Sequence, residues 1–206
     1  MKNTKKNHWE TVFTTKSPNE VSWFQENPET SLNIIRSLNL PKTARIIDIG
    51  GGDSYLVDFL LQAGFENITV LDISEKAIEK VKGRLGKLAE KVEWIISDIT
   101  QFQPITENYD VWHDRAAFHF LVKQKDINKY LSVAKSGIKY GGYLTPATFS
   151  EEGPMKCSGL EVKQYSEISM TETFKKGFEK IRCINENHTT PFGSVQNFTF
   201  CTFQRK

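Results

Sequence analysis

Apolar residues in this chain fall in short runs, separated by longer stretches in which they recur every three or four positions. The runs Ala44 to Asp48, Asn67 to Leu71, Val92 to Ile96, Tyr109 to His113 and Gly142 to Phe149 are dominated by Ile, Val, Leu and aromatic residues. Runs of this kind predict strands covered on both faces, as in a parallel sheet. Between them, Ser54 to Ala63, Ser74 to Leu88 and Lys125 to Ile138 carry the helical period. Strand and helix alternate, so the expected fold class is α/β: one doubly wound, mostly parallel sheet with helices on both faces. The last third departs from this pattern. Phe178 to Ile184 and Val195 to Phe203 read as two strands, and the turn residues Pro191, Phe192, Gly193 and Ser194 between them predict a closing antiparallel hairpin.

The first strand runs through Ile46, Ile47, Asp48 and Ile49 into three consecutive glycines, Gly50, Gly51 and Gly52, and a helical pattern follows from Tyr55. Glycine accepts positive φ and lets a ligand approach the main chain, and a helix N-terminus favours anionic groups, so this turn is built like a nucleotide pocket. A dinucleotide fingerprint would need glycine at position 55, where the chain has Tyr55, and a phosphate loop would need a lysine that is missing here. What remains is an acid two residues before Gly-x-Gly, followed 20 residues after Gly52 by Asp72 at the end of the second strand. An acid at that place suits ribose hydroxyls. Asp72 could instead cap the helix that follows, but Ser74 is better placed for that role.

These residues resemble the class I, seven-stranded S-adenosylmethionine-dependent methyltransferases, in a small stand-alone bacterial form. The likeness covers most of the chain. Asp48, Gly50 and Gly52 match the family's acid and G-x-G-x-G turn, with Ser54 in place of the last glycine. The resemblance implies S-adenosyl-L-methionine as cofactor, with Asp48, Gly50, Gly51, Gly52 and Ser54 forming its cradle. It further implies that Asp72 and Ile73 hold the ribose, that Asp98 and Ile99 flank the adenine, and that Asp114 to His119 face the methyl group. The closing hairpin would supply the last two of seven strands, giving a mixed sheet whose final strand runs against the rest. In similar enzymes an aromatic N-terminal segment like His8 to Phe13 and Val21 to Gln25 forms a lid, which would bring Trp23, Phe24 and Trp9 over the cofactor or substrate.

Composition narrows the remaining choices. At 206 residues, 38% apolar, the chain is expected to form a single domain, with a helical lid over 1–40, a cofactor-binding core over 41–150 and a substrate-side loop and hairpin over 151–206. No apolar run is long enough to cross a bilayer, so a cytoplasmic protein that avoids membranes is expected. Its net charge of +2, without a basic cluster, argues against a nucleic-acid partner, and Lys2, Lys5 and Lys6 read as a solvated tail. Cys157, Cys183 and Cys201 are too few and too scattered for a disulfide framework or a metal site, so idle thiols in a reducing compartment are expected and no metal is assigned. Monomer and homodimer are both open.

Methyl transfer from a sulfonium is an in-line displacement in which alignment and exclusion of water dominate, with a base needed only if the nucleophile arrives protonated. Among four histidines, His119 is the preferred base, one turn beyond the fourth strand where ligands bind in open α/β sheets; it could equally fill a core position beside Phe118 and Phe120. His113 reads as a strand histidine in a packed layer. Asp114 and Arg115 could form an ion pair that shapes the turn, or Arg115 could clamp a carboxylate of substrate or cofactor. The segment from Met155 to Tyr165 reads as an irregular substrate-side loop offering Cys157 and Tyr165, and His188 could add a hydrogen bond. The expected reaction is methyl transfer to a small-molecule thiol, chalcogen or metabolite. A protein lysine methyltransferase is the alternative that an open groove under Trp23, in place of an enclosed pocket, would favour; a non-catalytic cofactor-binding protein is a further alternative, against which the intact Asp48, Gly50, Gly52, Asp72 and Asp98 argue.

Overall fold

A computed structural model describes residues 4–206, apart from the side chain of residue 4, so Lys2 lies outside the described residues. The chain opens with α1 (Thr4–Thr15) and α2 (Glu29–Ser37). It then alternates through β1 (Arg45–Ile49), α3 (Leu56–Gln62), β2 (Asn67–Asp72), α4 (Glu75–Leu85), β3 (Val92–Ile96), β4 (Tyr109–Arg115), α5 (Gln124–Gly137) and β5 (Ile138–Phe149). A small hairpin, β6 (Lys156–Cys157) and β7 (Leu160–Glu161), precedes α6 (Glu167–Phe174) and the closing strands β8 (Phe178–Thr189) and β9 (Val195–Arg205).

One seven-stranded sheet runs in the order β3-β2-β1-β4-β5-β9-β8. Every pair from β3 to β5 is parallel, whereas β9 lies antiparallel to both β5 and β8, as expected for the closing hairpin. Successive residues of β1 feed opposite cores. Ile46 packs with Leu56, Leu60, Ile68 and Val111 under α3 and α4, and Ile47 packs with Trp112, Tyr130 and Leu144 under α5. Each buried Ile or Leu contributes roughly 1.5–3 kcal/mol, so a strand apolar on both sides is held only when both faces are covered.

The helices follow their apolar spacing. Ala77, Ile78, Val81 and Leu85 form the buried stripe of α4, Ser74 caps its N-terminus by accepting from Ala77 N at 3.2 Å, and Gly86 ends it at φ +56°. A 3₁₀ segment then takes over where the sequence predicted more helix. Helix α6 was not predicted, because only Met170 and Phe174 on it are buried and two positions make no readable period. The expected irregular loop after β5 contains the β6–β7 hairpin, whose turn residues Ser158 and Gly159 have φ of +50° and +78°.

Two expectations are corrected. Cys183 and Cys201 stand directly opposite each other on β8 and β9 and form a disulfide, while Cys157 remains a free, buried thiol. Antiparallel pairing brings together cysteines that look scattered along the chain. Lys5 belongs to α1 rather than a solvated tail, and its Nζ donates to the Phe120 carbonyl at 3.3 Å.

Helix α1 is tied to the sheet through Glu10. Its carboxylate accepts from Ser74 Oγ at 2.9 Å, Glu75 N at 2.9 Å and Lys76 N at 3.1 Å, the free donors of the α4 N-terminus. Partial burial raises the Glu10 pKa, but these donors outweigh it and hold the group below its ordinary value. No helix among the described residues is long and apolar enough to cross a membrane.

Candidate active site

Strands β1 and β4 are adjacent while their chain connections leave in opposite directions, so a crevice opens at their carboxyl ends. The glycine triplet turns into it. Gly50 and Gly52 have φ of +66° and +45°, and Gly50 N donates to Leu71 O at 2.7 Å. Any side chain here meets an obstacle. A Cβ on Gly50 would stand 2.6 Å from the Ala117 Cβ, and one on Gly51 would stand 2.7 Å from Asp48 Oδ2. On Gly52 a Cβ would come within 3.1 Å of Asp72 Oδ2 and of the Phe13 ring, in space that only a bare backbone leaves free.

The crevice has two lobes that share Phe13, Trp23, Gly50 and Arg115. The first runs past Leu71, Asp72, Ile73, Ser97, Asp98 and Ile99, and is also lined by Trp9, Phe120 and Cys157. The second is formed by Asp48, Gly50 to Ser54, Phe24, Ser31 and His113. Asp72 Oδ1 accepts from Ser74 N at 2.8 Å. Burial pushes its pKa up to about 7, against the amides of Ser74 and Gly52, which favour the charged form. Asp98 Oδ1 is engaged by Thr100 N and Oγ1 at 2.9 and 2.8 Å.

Asp48 is oriented by a relay that the sequence reading did not assign. His113 Nδ1 lies 2.7 Å from Asp48 Oδ1, and His113 Nε2 lies 2.9 Å from Ser31 Oγ at the start of α2. His113 is therefore a lining residue, and nothing in the local sequence pairs it with Ser31, 82 positions away.

Asp114 and Arg115, neighbours in sequence, part company. Asp114 accepts from Ala117 N and Phe118 N, both at 3.0 Å, and from Tyr130 Oη at 2.8 Å, so it fastens the turn after β4 and does not line the crevice. Burial raises its pKa to about 6, opposed by those donors. Of the two readings open for this pair, the Asp114–Arg115 ion pair is not formed. Arg115 lines both lobes, its guanidinium lies 4.8 Å from the Phe198 ring centroid, and Nη1 donates to the Trp23 carbonyl at 3.0 Å. Ala116, at φ +70°, makes the sharp bend that separates the two side chains.

His119 lies outside the crevice lining, which moves the base role away from it. It is fully buried between Phe120 and Phe149, and Nδ1 accepts from Phe149 N at 3.4 Å. Burial and then the charge of Arg115 push its pKa down to about 3, so the ring stays neutral and closed off. Tyr165 is likewise buried away from the lobes. His188 supports the site from behind, its Nε2 2.7 Å from the Ser22 carbonyl, just before Trp23. Cys157 does line the first lobe, where burial raises its thiol to about 11.

Residues 46–142 match a family described as a methyltransferase domain. The matched domain and the fold make this chain an S-adenosylmethionine-dependent methyltransferase. The methyltransferase is 24% identical over 119 residues to the mouse eEF1A lysine and N-terminal methyltransferase, a match covering 58% of this chain and 17% of that protein. Among solved structures, one that describes conversion of a disulfide bond into a thioacetal during echinomycin biosynthesis superposes with a TM-score of 0.80 at 14% identity, covering 98% of this chain and 93% of the other. The Burkholderia thailandensis 1,6-didemethyltoxoflavin-N1-methyltransferase, with bound 1,6-didemethyltoxoflavin and S-adenosylhomocysteine, superposes at 0.70 with 16% identity, covering 98% and 84%. Both likenesses concern the fold. The methyltransferase's own bare glycine turn, flanked by Asp48 and Asp72, fits S-adenosyl-L-methionine.

Proposed function

We propose that this methyltransferase acts on a small molecule, with Asp48 and the glycine turn at the amino-acid end of the cofactor, Asp72 at its ribose, and Asp98 and Ile99 beside its adenine. The cofactor supplies a methyl group on a positively charged sulfur. Paired acids on the β1, β2 and β3 side suit that positive charge and the ribose hydroxyls. The observation that carries the small-molecule reading is the aromatic cover over the first lobe. Trp9 packs edge-on against Trp23 and Phe120, with ring centroids 5.8 and 5.0 Å apart, and Phe13 lies 6.4 Å from Trp23. Such a cover excludes water and leaves room for a compact acceptor more readily than for a polypeptide.

Trp9, Trp23 and Phe120 would keep water away from an acceptor seated in line with that methyl group. Among the described residues no histidine lines the first lobe. This favours an acceptor already deprotonated at working pH, such as a thiolate or a heavier chalcogen. The mouse relative favours a second reading, in which a protein amine is the acceptor. Incubation with methyl-labelled cofactor and separate pools of metabolites, thiols and protein extract decides between them. The first reading expects label in the small-molecule pools; label confined to protein overturns it.

A further inference from the structure

Arg115 carries a charge that the methyltransferase does not answer. Its Nε and Nη2 are buried without a hydrogen-bond partner, and Nη1 has only the Trp23 carbonyl. Asp48, the acid whose charge it feels, is already held by His113 at 2.7 Å. Cys157, also near, is kept as a neutral thiol by burial. Burial lowers the Arg115 pKa to about 10, still charged at neutral pH. A buried guanidinium with idle donors and no counter-ion is costly in an isolated protein and matches the planar fork that a carboxylate fills.

The location decides which molecule brings the anion. Arg115 lines both lobes, but its guanidinium lies against the ring of Phe198 on β9, whereas the cofactor acids stand at β1, β2 and β3. In the first lobe the acids Asp72 and Asp98 come from the ends of β2 and β3, while the cations Arg115 and Lys5 come from β4 and α1. We infer that the acceptor bears a carboxylate, seated on the Arg115 guanidinium beneath Trp23. This rests on the small-molecule reading and narrows it.

The test uses full-length protein saturated with S-adenosylhomocysteine and titrated calorimetrically with benzoate or its neutral analogue benzamide. Benzoate is expected to bind the wild type at least about tenfold more tightly than benzamide, the scale of one charge-assisted pair. R115M is expected to lose that preference, and R115K to keep only part of it because lysine lacks the fork. A thermal melt like that of wild type shows that both variants fold, and their affinity for S-adenosylhomocysteine is measured separately. Equal binding of benzoate and benzamide to wild type, or absence of both, overturns the proposal. So does a loss of S-adenosylhomocysteine affinity in folded R115M, which would assign the arginine to the cofactor. The small-molecule reading stands or falls separately, on where the labelled methyl group goes.

Discussion

Replacing Asp72 with Asn tests the ribose assignment, because it removes the charge and keeps the shape. Hydrogen bonds to a charged group contribute about 1.5–3 kcal/mol each, so two from the ribose diol, taken at the low end, amount to about 3 kcal/mol, or about 150-fold in affinity. Only the ionised carboxylate accepts both. Since Asp72 in the free protein has a pKa of about 7, roughly a tenth is ionised at pH 6 and nine-tenths at pH 8. The advantage of wild type over D72N in binding S-adenosylhomocysteine should therefore grow about ninefold across that interval, if the bound carboxylate titrates near its ordinary value. Calorimetric titration of both proteins at pH 6, 7 and 8 measures it. Titration of the ligand's own amino group affects both proteins alike and cancels in the ratio. A D72N affinity within threefold of wild type at pH 8, or a ratio that does not change with pH, would refute the reasoning.

Gly50→Ala must place a Cβ 2.6 Å from Ala117 at φ +66°, so chemical denaturation should show a loss of about 2–4 kcal/mol, and cofactor binding should fall with it. Glu10→Ala removes the acceptor that ties α1 to the α4 N-terminus; a stability loss of about 1 kcal/mol and faster amide exchange in residues 4–15 are expected, with exchange unchanged in α5. The depressed pKa of His119 means that the unfolded chain takes up the proton first as pH falls below about 6.5, so wild type loses stability down to about pH 3 at up to roughly 1.4 kcal/mol per unit. His119→Gln should lack that component in urea melts between pH 6.5 and 4 while keeping its turnover at pH 8; an inactive but folded H119Q would restore the base role. Tyr130→Phe leaves Asp114 without its 2.8 Å phenol partner and should destabilise by about 1–3 kcal/mol, with cofactor affinity little changed.

The central strands were legible to within one or two residues at most ends because a strand covered on both faces must be apolar throughout, a constraint written in every residue of the run. Asn67 to Leu71, for instance, is all but one residue of β2. The glycine turn and the Ser74 cap were equally readable, since backbone conformation and capping depend on residues within a few positions of each other. The placing of Asp72 beside Gly52 followed from the same strand-end arithmetic.

Other features depend on chain separation. His113 and His119 are six residues apart and look interchangeable as bases, yet one joins Asp48 and Ser31 in the crevice while the other is sealed between phenylalanines. Cys183 meets Cys201 through a hairpin register, and Glu10 meets α4 some 64 residues away. The parallel core, the closing hairpin and the turn with its two acids could be read along the chain, because they are consequences of local periodicity and backbone geometry. Only the tertiary structure decided that Asp114 braces a turn while Arg115 faces the crevice, because burial and charge pairing are properties of neighbours in space, which the bend at Ala116 assigns to two adjacent residues in opposite ways.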